Sequence, residues 1–529
     1  MRWLLSSSSH LTRRSSPSPA PTRRHQRPWS VHLAGVAERH LNGTRLMFSG
    51  PSARPPHGHC TAPDGWRRRR DTHVRLAHPP IAIAPTADAS PRRPAGRPRT
   101  GRRLAAFRLR WRQLVHRHTQ RDPQVDVADR SGQRPDRPGD ADLLRSHDDN
   151  NPRFTITELT QVVQVGSEGD VALRHEITLL PEIKTIEWEG QQVDTVVSQF
   201  TAYGDGRVLE VARDFFAQAD DGSVWYFGED VENYVDGVLD NTDGTWLAGK
   251  DGPPGMIAPA DPQVGDVYRS ENIPGFVFEE VTVRSITETV DGPQGPISGA
   301  MLVEELLMDG VVEDKIFAPV YGEFMAQVVS EDELVTVSIG VPLDAVGGPV
   351  PAEVDQLATA GADLFVAAGA ADWAAVTALL DSLNTAWASY RETGVPPLTA
   401  DGMDLALEAL AAAAGGEDAP ATQQAANDLA YVVTDLRLRH EEPAAVDVDR
   451  MDIVARQIMV DAAADDEAFV LGDVRHLDAL WARTFQNVDG SAASSIEGQL
   501  ADLRVAAESG DYPAAIAAAE ALRQALDGP

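Results

Sequence analysis

Few residues in this sequence stand at spacings suited to chemistry. Outside the first 150 positions there are three histidines, His175, His440 and His476. Asp473-Val-Arg-His476 sets a carboxylate and an imidazole three residues apart, on one face of a helix. Metal sites inside helix bundles use inward Glu-x-x-His pairs of that geometry. Here there is one copy, with Asp in place of Glu, and a surface histidine with its own cap or ion-pair partner is the plainer reading. Acidic turns offer oxygen ligands for a divalent cation, at Glu229 and Asp230 and again at Asp240 and Asp243. Asn241-Thr-Asp243-Gly244 imitates the middle of an EF-hand loop. Its first position falls on Leu239 and its twelfth on Lys250, where Asp and a bidentate Glu are required. A looser cage is left open beside the simpler reading of solvated turn carboxylates.

The third set is aromatic. If Trp225-Tyr226-Phe227 lies in a strand, Trp225 and Phe227 share one face and Tyr226 takes the other. Trp225, Phe227, Trp246 and Tyr268 are candidate ligand-binding residues, with core packing as the alternative use. No catalytic residue is singled out. The sequence holds no Gly-x-Ser-x-Gly elbow, P-loop, His-Glu-x-x-His or Gly-x-Gly-x-x-Gly. The one cysteine is Cys60, so residues 151–529 support no thiol nucleophile, disulfide or cysteine zinc site. Residues 1–150 carry 29 Arg, no Lys and 12 acidic residues, which leaves 18 of the 47 basic and 68 of the 80 acidic residues in 151–529. That many carboxylates hides any pair spaced for glycoside hydrolysis. It also repels phosphates, which argues against nucleic-acid binding by 151–529.

The elements that must position these residues change along the chain. Residues 1–147 are polar, Pro-rich and expected to be disordered. Arg without Lys, with abundant Pro, His and Ser, is what an unselected frame of GC-rich DNA gives, so a mis-called start is one reading. A genuine basic tail, with runs such as Arg67-Arg68-Arg69-Arg70, is the other. No intact secretory signal is read: Met1-Arg2-Trp3-Leu4-Leu5 begins like one, but Ser6–Ser9 follow.

Residues 148–340 read as β-rich. Phe154–Leu159, Val193–Phe200, Phe276–Ile286 and Leu334–Ile339 are rich in β-branched and aromatic residues, and Asp-Gly turns at 221, 243, 251 and 309 separate such runs. The expected fold is an antiparallel sandwich or part-open barrel. A Gly/Pro linker spans 341–351. From 352 to 529 the composition turns to Ala and Leu at helical spacing, with Val376, Leu379, Leu383 and Trp387 on one face. Helix starts at Asp372, Asp418, Asp466 and Asp511 recur every 45–48 residues. Each Asp is placed to cap a helix. The pattern predicts antiparallel helical hairpins in a bundle or short solenoid, and α+β architecture overall.

The string Asp214-Phe-Phe-Ala-Gln-Ala-Asp-Asp-Gly-Ser-Val-Trp-Tyr-Phe-Gly-Glu-Asp230 resembles a signature of uncharacterised bacterial secreted or lipoprotein families. Gly244-Thr-Trp246-Leu-Ala-Gly249, Pro259–Tyr268 and Tyr321-Gly-Glu-Phe324 resemble it too, and Asn151-Pro152-Arg153-Phe154 is similar to the start that follows the leader in those families. The likeness covers about 150–330. It implies a β-rich envelope domain, with membrane attachment only through a lipid anchor lost with the leader, and it implies no activity. The functional expectation is a non-catalytic extracytoplasmic protein that binds a small ligand or a protein. Two alternatives stand beside it: a calcium or transition-metal binder, and a hydrolase built from scattered carboxylates.

Overall fold

The computed structural model describes residues 151–329 and 334–526. The Arg-rich segment 1–147, and both readings of it, lie outside the described residues. The strands are β1 (Gln161–Glu168), β2 (Val171–Trp188), β3 (Gln191–Gly204), β4 (Arg207–Gln218), β5 (Val224–Val235), β6 (Val238–Asn241), β7 (Trp246–Leu247), β8 (Gly255–Ala258), β9 (Val267–Ile273), β10 (Val277–Gly292), β11 (Gly295–Leu307), β12 (Val312–Ala318), β13 (Gly322–Val328) and β14 (Leu334–Val341). All pair antiparallel in one sheet of order 6-5-4-3-2-1-14-13-12-11-10-9, and β7 and β8 add to β5.

The sheet curls back on itself. β8, joined to β5 near one end, lies against β9 at the other, so closely that a Cβ on Gly255 would land on the Ser270 carbonyl. The result is a part-open barrel. Irregular register supplies the bending. In β2 the ladder breaks between Leu179 and Ile183, around Pro181, which has no N–H to give a central strand. The stretch Phe154–Leu159, read above as a strand, is not one. Asn151 ties the chain to the carbonyls of Gly222 and Pro259, and the Val320 N–H bonds the Pro152 carbonyl. These anchors draw the segment away from the ladder. Phe154 packs on Phe216 and Phe317 instead.

Among the described residues eight α-helices follow: α1 (Ala352–Gly369), α2 (Trp373–Arg391), α3 (Pro397–Gly415), α4 (Ala419–Arg437), α5 (Pro443–Ala463), α6 (Glu467–Thr484), α7 (Gly490–Ser509) and α8 (Tyr512–Leu526). The expected repeat is present. Every second helix starts after one of the four aspartates, and a residue with positive φ precedes each: Ala371, Glu417, Asp465 and Gly510. The Asp372, Asp418 and Asp511 side chains accept N–H bonds at 3.1–3.2 Å from residues three further on. The hairpins group into two four-helix bundles with separate cores. Leu357, Leu364, Leu383 and Leu410 belong to the first, and Ile458, Leu477, Leu500 and Leu522 to the second.

Sheet and helices belong to one compact unit. The Gly/Pro stretch after β14 is pinned, because Asp344 accepts from Tyr321 Oη at 2.6 Å and from the Gly340 N–H at 2.7 Å. A two-residue alternation decides what each sheet face meets. On β2, Arg174, Glu176 and Thr178 face the helices. Their neighbours His175, Ile177 and Leu179 face the interior of the sheet. Glu176 is fully buried. It meets Arg174 at 2.8 Å, Arg483 of α6 at 2.9 Å and Arg450 of α5 at 3.8 Å. Asp435 and Asp447 share these arginines, so three cations face three carboxylates. Nearby, Gly237 and Gly472 leave no space for a Cβ where the β5–β6 turn touches α6.

Two outcomes follow for stability. Asp418→Ala removes a cap and is expected to cost about 1 kcal/mol in urea unfolding, and an unchanged midpoint contradicts the capping role. Arg450→Met strands buried carboxylates and is expected to cost about 3–5 kcal/mol, whereas a loss under about 1 kcal/mol means that the ion network is dispensable.

Candidate functional site

The curl of the sheet encloses a cavity of about 1410 Å³. One part of its wall is apolar. Val162 of β1, Ile177 and Leu179 of β2, and Val196 and Phe200 of β3 supply it, with Ile156 from the segment before β1. These are the residues that alternate with the helix-facing set, so the strand period that docks the helices also builds this wall.

The other part is acidic. Glu210 and Asp214 come from β4, Glu229 from β5, Glu271 from β9, Glu279 from β10, and Glu313 and Glu323 from β12 and β13. Their neighbours are specific. Tyr226 Oη donates to Asp214 at 2.9 Å, and Trp246 Nε1 donates to Glu271 at 3.2 Å. Lys315 Nζ lies 2.6 Å from Glu305, 3.7 Å from Glu313 and 3.8 Å from Glu323. The Ser270 Oγ stands 3.0 Å from Glu279 and 2.8 Å from Glu305. A single hydroxyl proton serves one of them, so a protonated Glu279 supplies the second bond.

Lys315 neutralises only one side of this group. Among the described residues no ion pair reaches Glu210, Asp214, Glu229, Glu271 or Glu279. The chain has only three lysines, and the other two, Lys184 and Lys250, pair elsewhere with Asp230 and Asp251. Arg269 lines the cavity but pairs with Glu280 at 3.1 Å. Burial and mutual repulsion therefore raise the unpaired acids. Glu210 is pushed up to about 7 by burial, then Asp214 and Glu271. Asp214 is raised to about 7 by burial, with Glu323 adding to it and the Tyr226 bond opposing. Glu271 is also at about 7, through burial and then Glu305, against the Trp246 bond. Burial and neighbouring carboxylates hold Glu229 and Glu279 well above the ordinary range. His175, beside Gln164 at 3.4 Å, is lowered to about 4 by burial and then by Lys315.

The residues singled out from sequence are spread widely. Trp225, Phe227 and Trp246 sit in the hydrophobic core of the wall, and Tyr268 in a neighbouring core cluster. None of the four lines the cavity, while Tyr226, on the opposite strand face, does. Of the acidic candidates, Glu229 and Asp243 line it. Asp230 is an exposed partner of Lys184, and Asp240 accepts from Asn241 at the surface. Asp473 pairs with Arg207 of β4 at 3.2 Å. His476 is buried rather than at the surface. It sits 2.9 Å from Tyr203 Oη and 3.3 Å from Tyr431 Oη, and burial lowers it to about 3. Asp473 and His476 thus belong to the sheet–helix junction. Among the described residues no group of three or more His, Cys, Asp or Glu is placed to hold a metal ion. Glu210, Asp214, Glu271, Glu279 and Lys315 were not singled out from the sequence. The usable signal was Lys315, a scarce lysine inside the alternating run Val312-Glu-Asp-Lys315-Ile-Phe317.

No model of a known protein family matches the chain, and no curated protein matches it either.

The two kinds of shift act oppositely on stability. An acid whose folded pKa is raised binds its proton more tightly folded than unfolded, so its contribution falls as pH rises from about 4 to about 7. A buried neutral histidine loses stability as pH drops below about 6.5. Glu271→Gln is therefore expected to raise the thermal midpoint at pH 8 and to leave it nearly unchanged at pH 5. Destabilisation at pH 8 contradicts this.

Proposed function

We propose that this protein is a non-catalytic binding protein that holds a small ligand inside the curled sheet, with the two helical bundles as scaffold. One observation carries the reading: a cavity of about 1410 Å³ with an apolar wall and a separate polar wall. Ligand sites are concave, mostly apolar and oriented by a few polar groups. The enclosed space here exceeds the roughly 300–1,000 Å³ usual for such sites, which suits an elongated or branched ligand. An extracytoplasmic or envelope setting is part of the proposal and rests on the secreted-protein resemblance of 150–330.

A second reading has one observation in its favour. Glu229 and Glu271 are hydrogen-bonded carboxyl groups held above their ordinary range, as a general acid in a hydrolase would be. The same samples distinguish the two. A neutral fluorophore such as N-phenyl-1-naphthylamine is expected to bind saturably at one site, and Ile177→Trp, which fills the apolar wall, is expected to abolish binding. Nitrophenyl glycosides and esters are expected to stay intact. Turnover that disappears in Glu229→Gln supports the hydrolase reading instead, and an absence of saturable binding contradicts the binding role.

A further inference from the structure

Resting on the cavity reading, we propose that the ligand is an organic cation, an ammonium or guanidinium on an apolar body, with its charge among Glu210, Asp214, Glu229 and Glu271. Two independent features lead there. The first is unbalanced charge. Lys315 already serves Glu305, Glu313 and Glu323, and Arg269 serves Glu280, so both bases in the cavity wall are engaged, while among the described residues the four carboxyls and Glu279 have no counter-charge.

The second is the shape of the space. The apolar wall continues into stacked rings, Phe216 on Tyr226 with centroids 4.9 Å apart, and Phe154 edge-on to Phe216 at 5.2 Å. Such faces attract cations. A bare metal ion would use neither the rings nor the apolar wall.

Arrival of a fixed positive charge converts protonated carboxyls to carboxylates, and the protons leave to bulk buffer. Other titrating groups face the cluster: Glu279 of β10, Glu305 of β11, Glu313 and Lys315 of β12, Glu323 of β13 and His175 of β2. Of these, Glu279, Glu313 and Glu323 are raised like the four and add to the release, whereas Glu305 is lowered, Lys315 holds its proton and His175 is already neutral.

The test uses the full chain and three probes with the same octyl group: octylammonium, which stays charged from pH 6 to 8, neutral octanol and octanoate. Calorimetric titration at pH 8 is expected to show octylammonium at one site, at least tenfold tighter than octanol. At pH 6 its affinity is expected to fall about tenfold, as one displaced proton per site over the window requires. Glu229→Gln combined with Glu271→Gln is expected to erase the preference for the ammonium and keep octanol binding. Octanol or octanoate binding as tightly as octylammonium overturns the cation inference and leaves the cavity reading standing. If none of the three binds at either pH, the cavity reading falls with it. The comparison on the unmodified chain decides both, whether or not a variant folds.

Discussion

A carboxylate buried to zero exposure joins the two halves of this protein. Glu176 sits in the middle of β2, and three arginines surround it, one from its own strand and two from helices nearly three hundred positions away in sequence. Burial alone would protonate it, but Arg450, Arg174 and Arg483 outweigh burial and hold it well below the ordinary carboxylate range. The cost of removing such charges from water is recovered only when they are matched and hydrogen-bonded. Here they are, by Asp435, Asp447, Gln161 and Gln199. The helices can dock on a polar sheet face because that face is electrically closed.

This docking releases the opposite face. A sheet has two sides of alternating residues, and a side not packed on a core must meet water or enclose something. Because helices cover the Glu176 side, the His175 side curls round an interior space. The two acidic groups on the two faces are built differently. At the junction, three cations answer three carboxylates. In the cavity, one lysine answers three carboxylates and at least four others stand without a counter-charge. Perturbed acids occur in structural ion networks as well as in functional sites. The missing counter-charge separates the two cases, because a structural network has no use for an unpaired, partly protonated cluster facing an open space.

Much of the architecture was legible because it depends on local periodicity. The four aspartates 45–48 residues apart mark helix starts, and three of them, Asp372, Asp418 and Asp511, do so through a cap that any short stretch of chain can form, whereas the Asp466 side chain caps nothing. Strands such as β3 and β14 announce themselves by β-branched content. The stretch after Pro152 has strand-like composition, but contacts from Gly222, Pro259 and Val320, all remote in sequence, hold it out of the ladder. The site was less legible for the same reason. Alternating polar residues on β2 and β3 ordinarily signal solvent, and only distant Arg450 and Arg483 make them a docking face. Glu210, Glu229 and Glu271 meet because the sheet closes, which no local spacing encodes. Of the aromatic string, all three residues join one core cluster, and Tyr226 alone also lines the cavity.

The most direct test is carboxyl titration by ¹³C NMR on protein labelled at the side-chain carboxyls of Asp and Glu. The account requires a small group of acids, lost selectively in Glu210, Asp214 and Glu271 variants, that titrate near pH 7 while Glu176 stays ionised below the ordinary carboxylate range. If every cavity acid titrates between about pH 3 and 5, as solvated carboxylates do, the cavity holds no uncompensated charge and the central claim is wrong.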